Sequence, residues 1–289
     1  MKNVIVLLKR EYPYQEEFVK RLKNALYSVH VVLLNDDEVD SDAKKHIENS
    51  DIKHVFIITD NSAGIELARK YDIGYAFYEN ENNKKLDCPD AECVLMGFEE
   101  LGADYVLKMY QRKNNIPWTI AQTENLIIRE SKADDIERFY EIYDDEKITK
   151  FCQNLDVDRA DGRAFLESYI ENMYRVYGFG LWSIVRKSDN KIIGRAGIFV
   201  REGFDGIELG YLIDRNERNR GYALECVKAI LQVAFEDYYC EKLRCIIDNE
   251  NIESISLAKK LGFNLIDEYE VEQRVQRIYE IVYKKFTNI

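Results

Sequence analysis

Residues 208–231 read ELGYLIDRNERNRGYALECVKAIL, and residues 242–263 read KLRCIIDNENIESISLAKKLGF. The first stretch predicts a strand over Gly206–Asp214. An arginine-rich turn follows, with Arg215, Arg218 and Arg220, then Gly221 and a helix. Ala223, Val227, Ile230, Leu231 and Ala234 fall on one face of that helix, the spacing of a buried stripe. A strand, a turn and a helix start with glycine at its mouth suit an anion. The first-turn N–H groups lack intrahelical partners, the helix dipole favours negative charge there, and glycine admits close approach to the backbone. The chain contains neither GxxxxGK[ST] nor GxGxxG, so the turn is neither a Walker loop nor a dinucleotide fingerprint.

Arg218-Asn219-Arg220-Gly221-Tyr222-Ala223 resembles the R/Q-x-x-G-x-G/A pyrophosphate turn of the GCN5-related N-acetyltransferases, the GNAT superfamily. Asn251 and Ser254 follow in Asp248-Asn249-Glu250-Asn251-Ile252-Glu253-Ser254, and Leu261-Gly262-Phe263 closes the next helix, in the order that family uses. Upstream, Thr123-Glu124-Asn125-Leu126-Ile127-Ile128-Arg129 with Asp134 resembles the opening of the RimJ/RimL-like branch. The likeness spans about residues 123–285. It implies acetyl-CoA as cosubstrate, held by Arg218, Asn219, Arg220, Gly221, Tyr222 and Ala223. It also implies Asn251 against the pantetheine, and a main-chain donor near Leu212 or Ile213, at a strand bulge, for the thioester carbonyl; Ser254 is the candidate hydrogen-bond partner of the coenzyme sulfur. Asn219 stands where many relatives have glycine, and asparagine tolerates left-handed backbone angles better than most residues.

The 289 residues allow two domains, and the apolar fraction of 46% with 33% charged residues fits an ordinary globular chain. No apolar run reaches the length needed to span a bilayer, and Val4–Leu8 is too short for a signal segment, so the expected location is the cytoplasm with no membrane partner. The six cysteines have no CxxC spacing, and neither a metal site nor a disulfide framework is expected. A net charge of −12 argues against nucleic acid and suits a cationic amine as acceptor.

Strand candidates Asn3–Leu8, Val29–Leu34, His54–Thr59, Gly74–Tyr78 and Cys93–Met96 alternate with helical patterns at Tyr14–Leu26, Ser41–Asn49, Ala63–Lys70 and Phe98–Gln111. That order predicts a doubly wound parallel α/β domain over 1–117. It faintly resembles the haloacid-dehalogenase-like (HAD-like) core through Ile57-Ile58-Thr59-Asp60-Asn61. The DxD pair that family requires is missing, because the first strand ends Leu8-Lys9-Arg10-Glu11. The domain is therefore expected to be non-catalytic, with Asp60 and Asn61 as helix caps. Residues 118–289 read as a mixed α+β acetyltransferase domain. Strands are expected at Leu126–Ser131, Leu181–Lys187, Lys191–Val200, Gly206–Asp214, Lys242–Ile247, Asn264–Tyr269 and Arg277–Lys285, and helices at Asp134–Tyr143 and Arg159–Tyr174 should wall the acceptor site. Gly194 and Gly197 signal a bulge or a close backbone approach.

His30, His46 and His54 all lie in the first domain, so a histidine base is excluded from the second unless the two share a site. What remains is direct attack by an amine, assisted by a carboxylate or ordered water. Glu208 is the candidate base, set against the reading of an ordinary strand carboxylate. Many GNAT enzymes carry a tyrosine acting as general acid where this chain has Ala258, which leaves that role to Ser254, to one of the domain's tyrosines or to water. Trp182, Tyr169, Tyr174, Tyr177 and Phe179 are either acceptor-pocket or core aromatics. The expected activity is acetyl transfer to a primary amine, on a peptide N-terminus or a small molecule. The alternative is an acyl-CoA-binding sensor with a weak transferase site.

Overall fold

The computed structural model describes residues 3–25, 27–33, 41–152, 155, 158–201 and 203–283. The chain divides into two compact units, Met1–Ile116 and Pro117–Ile289.

The first unit runs β1 (Asn3–Leu8), α1 (Gln15–Asn24), β2 (Ser28–Leu33), α2 (Ser41–Glu48), β3 (Val55–Thr59), α3 (Ser62–Lys70), β4 (Tyr75–Tyr78), β5 (Cys93–Leu95) and α4 (Ala103–Lys113). All strand pairs are parallel, in the order β2-β1-β3-β4-β5. Ile5, Leu7 and Ile57 pack with Ile65 and Ala68 of α3 on one face. Val4, Val6 and Leu8 alternate to the opposite face and are equally buried, as a sheet covered on both sides requires. The unit is thus a parallel α/β layer structure. Leu26 and Leu34, the ends of two expected elements, lie outside the described residues.

Two expectations in this unit are corrected. The helix predicted over Phe98–Gln111 begins only at Ala103. Phe98 is instead a buried loop residue stacked on Tyr78 and Phe18, with ring centroids 4.6 and 5.0 Å away. Asn61 does cap α3, its side chain accepting from the Gly64 N–H at 2.9 Å. Asp60 does not cap: its carboxylate accepts from the Lys9 N–H at 3.0 Å and the Tyr12 hydroxyl at 2.7 Å, pinning the chain after β1.

The second unit runs β6 (Thr119–Gln122), β7 (Leu126–Arg129), α5 (Ile136–Tyr143), α6 (Glu146–Thr149), α7 (Gly162–Tyr169), β8 (Leu181–Arg186), β9 (Ile192–Val200), β10 (Ile207–Ile213), α8 (Tyr222–Glu236), β11 (Lys242–Asp248), α9 (Ile252–Lys260), β12 (Asn264–Val271) and β13 (Arg274–Val282). Its eight strands form one sheet in the order β12-β13-β11-β10-β9-β8-β7-β6. Every neighbouring pair is antiparallel except β10 and β11. Those two parallel strands pair only at Glu208 and Arg244. Beyond that point they separate, and the gap between them positions the site.

Alternation along β10 sends its side chains to two layers. Leu209 and Ile213 join Val227, Ile230 and Leu231 of α8 in one core. Leu212 packs on the opposite face with Phe139 and Ile142 of α5 and Leu166 of α7. After α7 the helix widens into a π-helical stretch, Ile170–Arg175. Sequence reading missed β6, which is four residues long and sits beside Pro117, and α6, a single turn.

Candidate active site

Gly221 takes φ +83 just before α8, and nothing lies within 4 Å of where its Cβ would project. Only glycine adopts that angle without strain, and the open space faces the helix start. No side chain caps α8, so its leading N–H groups are left for a ligand. Asn219 sits in the left-handed region at φ 61, the conformation asparagine tolerates. These residues line a cavity of about 780 Å³ with Arg218, Tyr222, Ala223, Leu224, Asn251 and Ser254. The fit for a diphosphate rests on this cradle of open amides beside a left-handed glycine.

The three arginines are not a bare positive patch. Arg220 pairs with Glu217 at 3.2 Å, Arg215 approaches Asp145 at 3.9 Å, and Arg218 approaches Glu253 at 3.7 Å. Arg218 lines the cavity and donates from Nε to the Ile213 carbonyl at 3.3 Å. The Arg220 side chain is turned to Glu217 and does not line the cavity.

A second cavity, of about 550 Å³, opens on the face carrying Glu208, Gly210 and Leu212. Tyr211, Leu212, Asn251 and Ser254 line both cavities, as do Lys150, Phe151 and Cys152. The two spaces therefore meet where β10 and β11 part. Asn251 caps α9, its side chain accepting from the Ser254 N–H at 3.1 Å. The Tyr211 hydroxyl donates to Ser254 Oγ at 3.2 Å. Burial, the largest cause, pushes the Tyr211 phenol up to about 12, so it stays protonated at neutral pH.

Glu208 is 4% exposed and doubly held by Arg201, Nε to Oε2 at 2.5 Å and Nη2 to Oε1 at 2.9 Å. Both carboxylate oxygens are thus engaged. The bulge expected near Leu212 and Ile213 is absent, since β10 pairs with β9 without a register shift. The irregularity lies instead between β8 and β9, at Ile184 and Val185 opposite Gly194 and Ile192. The Asp214 N–H donates to the Ile193 carbonyl at 2.8 Å. Alternation then turns the Leu212 amide toward β9 and the Tyr211 and Ile213 amides toward the gap.

Lys150, Phe151 and Cys152 carried no sequence signal, because they follow a helix too short to show periodicity. Burial pushes the Cys152 thiol up to about 11, which disfavours the thiolate, and it donates to the Ile148 carbonyl at 3.2 Å. Trp182 and Tyr174 are core residues, whereas Tyr177 is exposed. Ala258 is buried and supplies no acid. Among the described residues, no three His, Cys, Asp or Glu side chains group as metal ligands, and no helix is long and apolar enough to cross a membrane.

The family model of the acetyltransferase (GNAT) domain matches residues 125–264. An uncharacterized N-acetyltransferase of Bacillus subtilis, YnaD, is 26% identical over 140 residues, covering 48% of this chain and 79% of that protein. The B. subtilis protein YkkB is 32% identical over 90 residues, covering 30% of this chain and 52% of YkkB. In fold, the chain is similar to RimL, a ribosomal L7/L12 α-N-protein acetyltransferase. The TM-score is 0.50 at 12% identity, over 57% of this chain and 94% of RimL. The sheet parted between β10 and β11, the open helix start and these likenesses converge: the C-terminal half of the chain is a GNAT-family N-acetyltransferase domain.

Proposed function

We propose that this domain transfers an acetyl group from acetyl-CoA to a primary amine, on a peptide N-terminus or a small molecule, by direct attack with both substrates bound. The observation that carries the reading is the meeting of two cavities at Tyr211, Leu212, Asn251 and Ser254. GNAT enzymes use acetyl-CoA, which supplies an activated acetyl thioester when bound. The residues of this chain then do the remaining work. The amides opening α8 and the Arg218 side chain hold the diphosphate. The gap-facing amides of Tyr211 and Ile213 are placed to polarise a carbonyl, a role that preorganised donors fill without reorganisation. The Tyr211 hydroxyl oxygen lies 3.2 Å from Ser254 Oγ and keeps its proton, and this pair takes the place of the general-acid tyrosine whose position Ala258 occupies. Glu208 receives the amine proton once Arg201 yields one of its oxygens.

The second reading, an acyl-CoA sensor, is favoured by one observation: Arg201 occupies both oxygens of the proposed base. Thiol release from acetyl-CoA with a panel of amines separates the two. Turnover that is lost in Glu208→Gln while coenzyme binding persists supports the enzyme. Tight binding without turnover across a broad panel supports the sensor. The first unit is proposed as a non-catalytic, HAD-like scaffold, since Asp60 is tied to the Lys9 amide and Tyr12.

A further inference from the structure

The cavity on the Glu208 face is lined by four cations, three of which have a carboxylate partner. Arg201 is held by Glu208, and Lys150 lies 2.9 Å from Glu250. Arg274 lies 2.8 Å from Asp248, paired by charge though not aligned as a hydrogen bond. The fourth, Arg195, has none among the described residues. It is 5% exposed, and its Nε and Nη2 have no hydrogen-bond partner. Its surroundings are neutral. The Phe139 and Tyr169 ring centroids lie 4.5 and 5.5 Å from the guanidinium carbon, and the Tyr143 hydroxyl is beside it. Burial pushes the Tyr143 and Tyr169 phenols up, so neither balances the charge. A guanidinium does not give up its proton in proteins. An unbalanced buried charge is costly, and ring contacts offset only part of that cost.

The two unpaired nitrogens form one edge of the guanidinium, the edge that receives a carboxylate through two parallel bonds. Arg201 uses the same edge, Nε and Nη2, on Glu208. Both nitrogens are sealed from solvent in this structure, and a planar two-oxygen group that reached that edge as the flanking rings shift would be its natural partner. The position is also telling. Arg195 of β9 stands opposite Leu212 of β10, and Leu212 lines both cavities. One strand spacing, roughly 4.8 Å, therefore separates its backbone from the junction where transfer is proposed. We infer that the acceptor carries a carboxylate within a few bonds of its amine, as a free amino acid does, and that Arg195 receives it. This rests on the acetyl-transfer reading for the amine, but not for the anion site itself.

The test pairs each amino acid with its amide. In the wild type, kcat/KM for thiol release should favour the carboxylate by at least about tenfold, the scale of a charge-assisted hydrogen bond. By calorimetry, N-acetyl amino acids should bind more tightly than N-acetyl amino-acid amides. Both preferences should vanish in Arg195→Gln with coenzyme A affinity unchanged. Arg195→Lys, which keeps charge but not the fork, should retain an intermediate preference and covers the case in which the glutamine variant does not fold. Equal treatment of acid and amide by the wild type, or a preference that survives Arg195→Gln, overturns the assignment. Absence of thiol release with every amine counts against acetyl transfer alone, because the calorimetric pair still reports on Arg195.

Discussion

Tyr211 shows how a single residue can be illegible in sequence and plain in space. It is 43 positions from Ser254, and no local spacing links the two. The parting of β10 from β11 lets its hydroxyl reach α9. Replacing it with phenylalanine removes one oxygen from a buried ring and should lower kcat by about 10²-fold, the lower range for a positioned proton donor. Coenzyme A affinity should stay within twofold by calorimetry, and an unchanged kcat in Tyr211→Phe would remove this residue from the mechanism. Gly221 and Asn219 were legible because left-handed backbone angles restrict residue type. Sequence gives the position of Arg220 in the turn but not its partner, Glu217. The motif also cannot report that Arg201, seven residues before Glu208, closes on that carboxylate.

At the scale of elements, long amphipathic segments declared themselves and short ones did not. α8 is fifteen residues long and its buried stripe is readable, whereas β6 and α6 have four residues each, too few to show a period. The π-helical turn after α7 was read as simple helix, because one extra residue per turn leaves little trace in hydrophobic spacing. One junction also explains the Thr123-Glu124-Asn125 opening. Glu225 on α8 accepts from the Thr123 hydroxyl at 2.5 Å, the Asn125 N–H at 2.8 Å and Asn125 Nδ2 at 3.1 Å, stapling the start of β7 to the helix. Burial alone raises the Glu225 carboxyl, but these donors outweigh it and hold it below its usual range. A depressed carboxylate stabilises the fold above its unfolded pKa, and that contribution is lost as pH falls through the folded value. Glu225→Gln should therefore cost about 1–2 kcal/mol at pH 7. The gap between wild type and variant in thermal melts should narrow below about pH 4. A gap that does not change between pH 7 and pH 3 contradicts the role given to this carboxylate.

For the whole molecule, the division of labour follows from where the cavity residues lie. Every residue named around the two cavities belongs to Pro117–Ile289, and that unit has its own hydrophobic cores. Expressed alone, 117–289 should fold and bind coenzyme A with an affinity within about threefold of the full chain; a folded fragment that has lost binding contradicts this. The alternation of strands and helices made the parallel sheet of the first unit legible, yet its role was not, since Asp60 reads as a motif residue and acts as a backbone clasp. The central claim is that the open amides before α8 grip a diphosphate between β10 and β11. Titration of coenzyme A into the wild type and Gly221→Glu by calorimetry, with circular dichroism to confirm that both are folded, tests it most directly. The account predicts one binding site in the wild type and no measurable heat in the variant, where a carboxylate fills the cradle. Equal affinity in the two folded proteins, or no heat from the wild type, would contradict it.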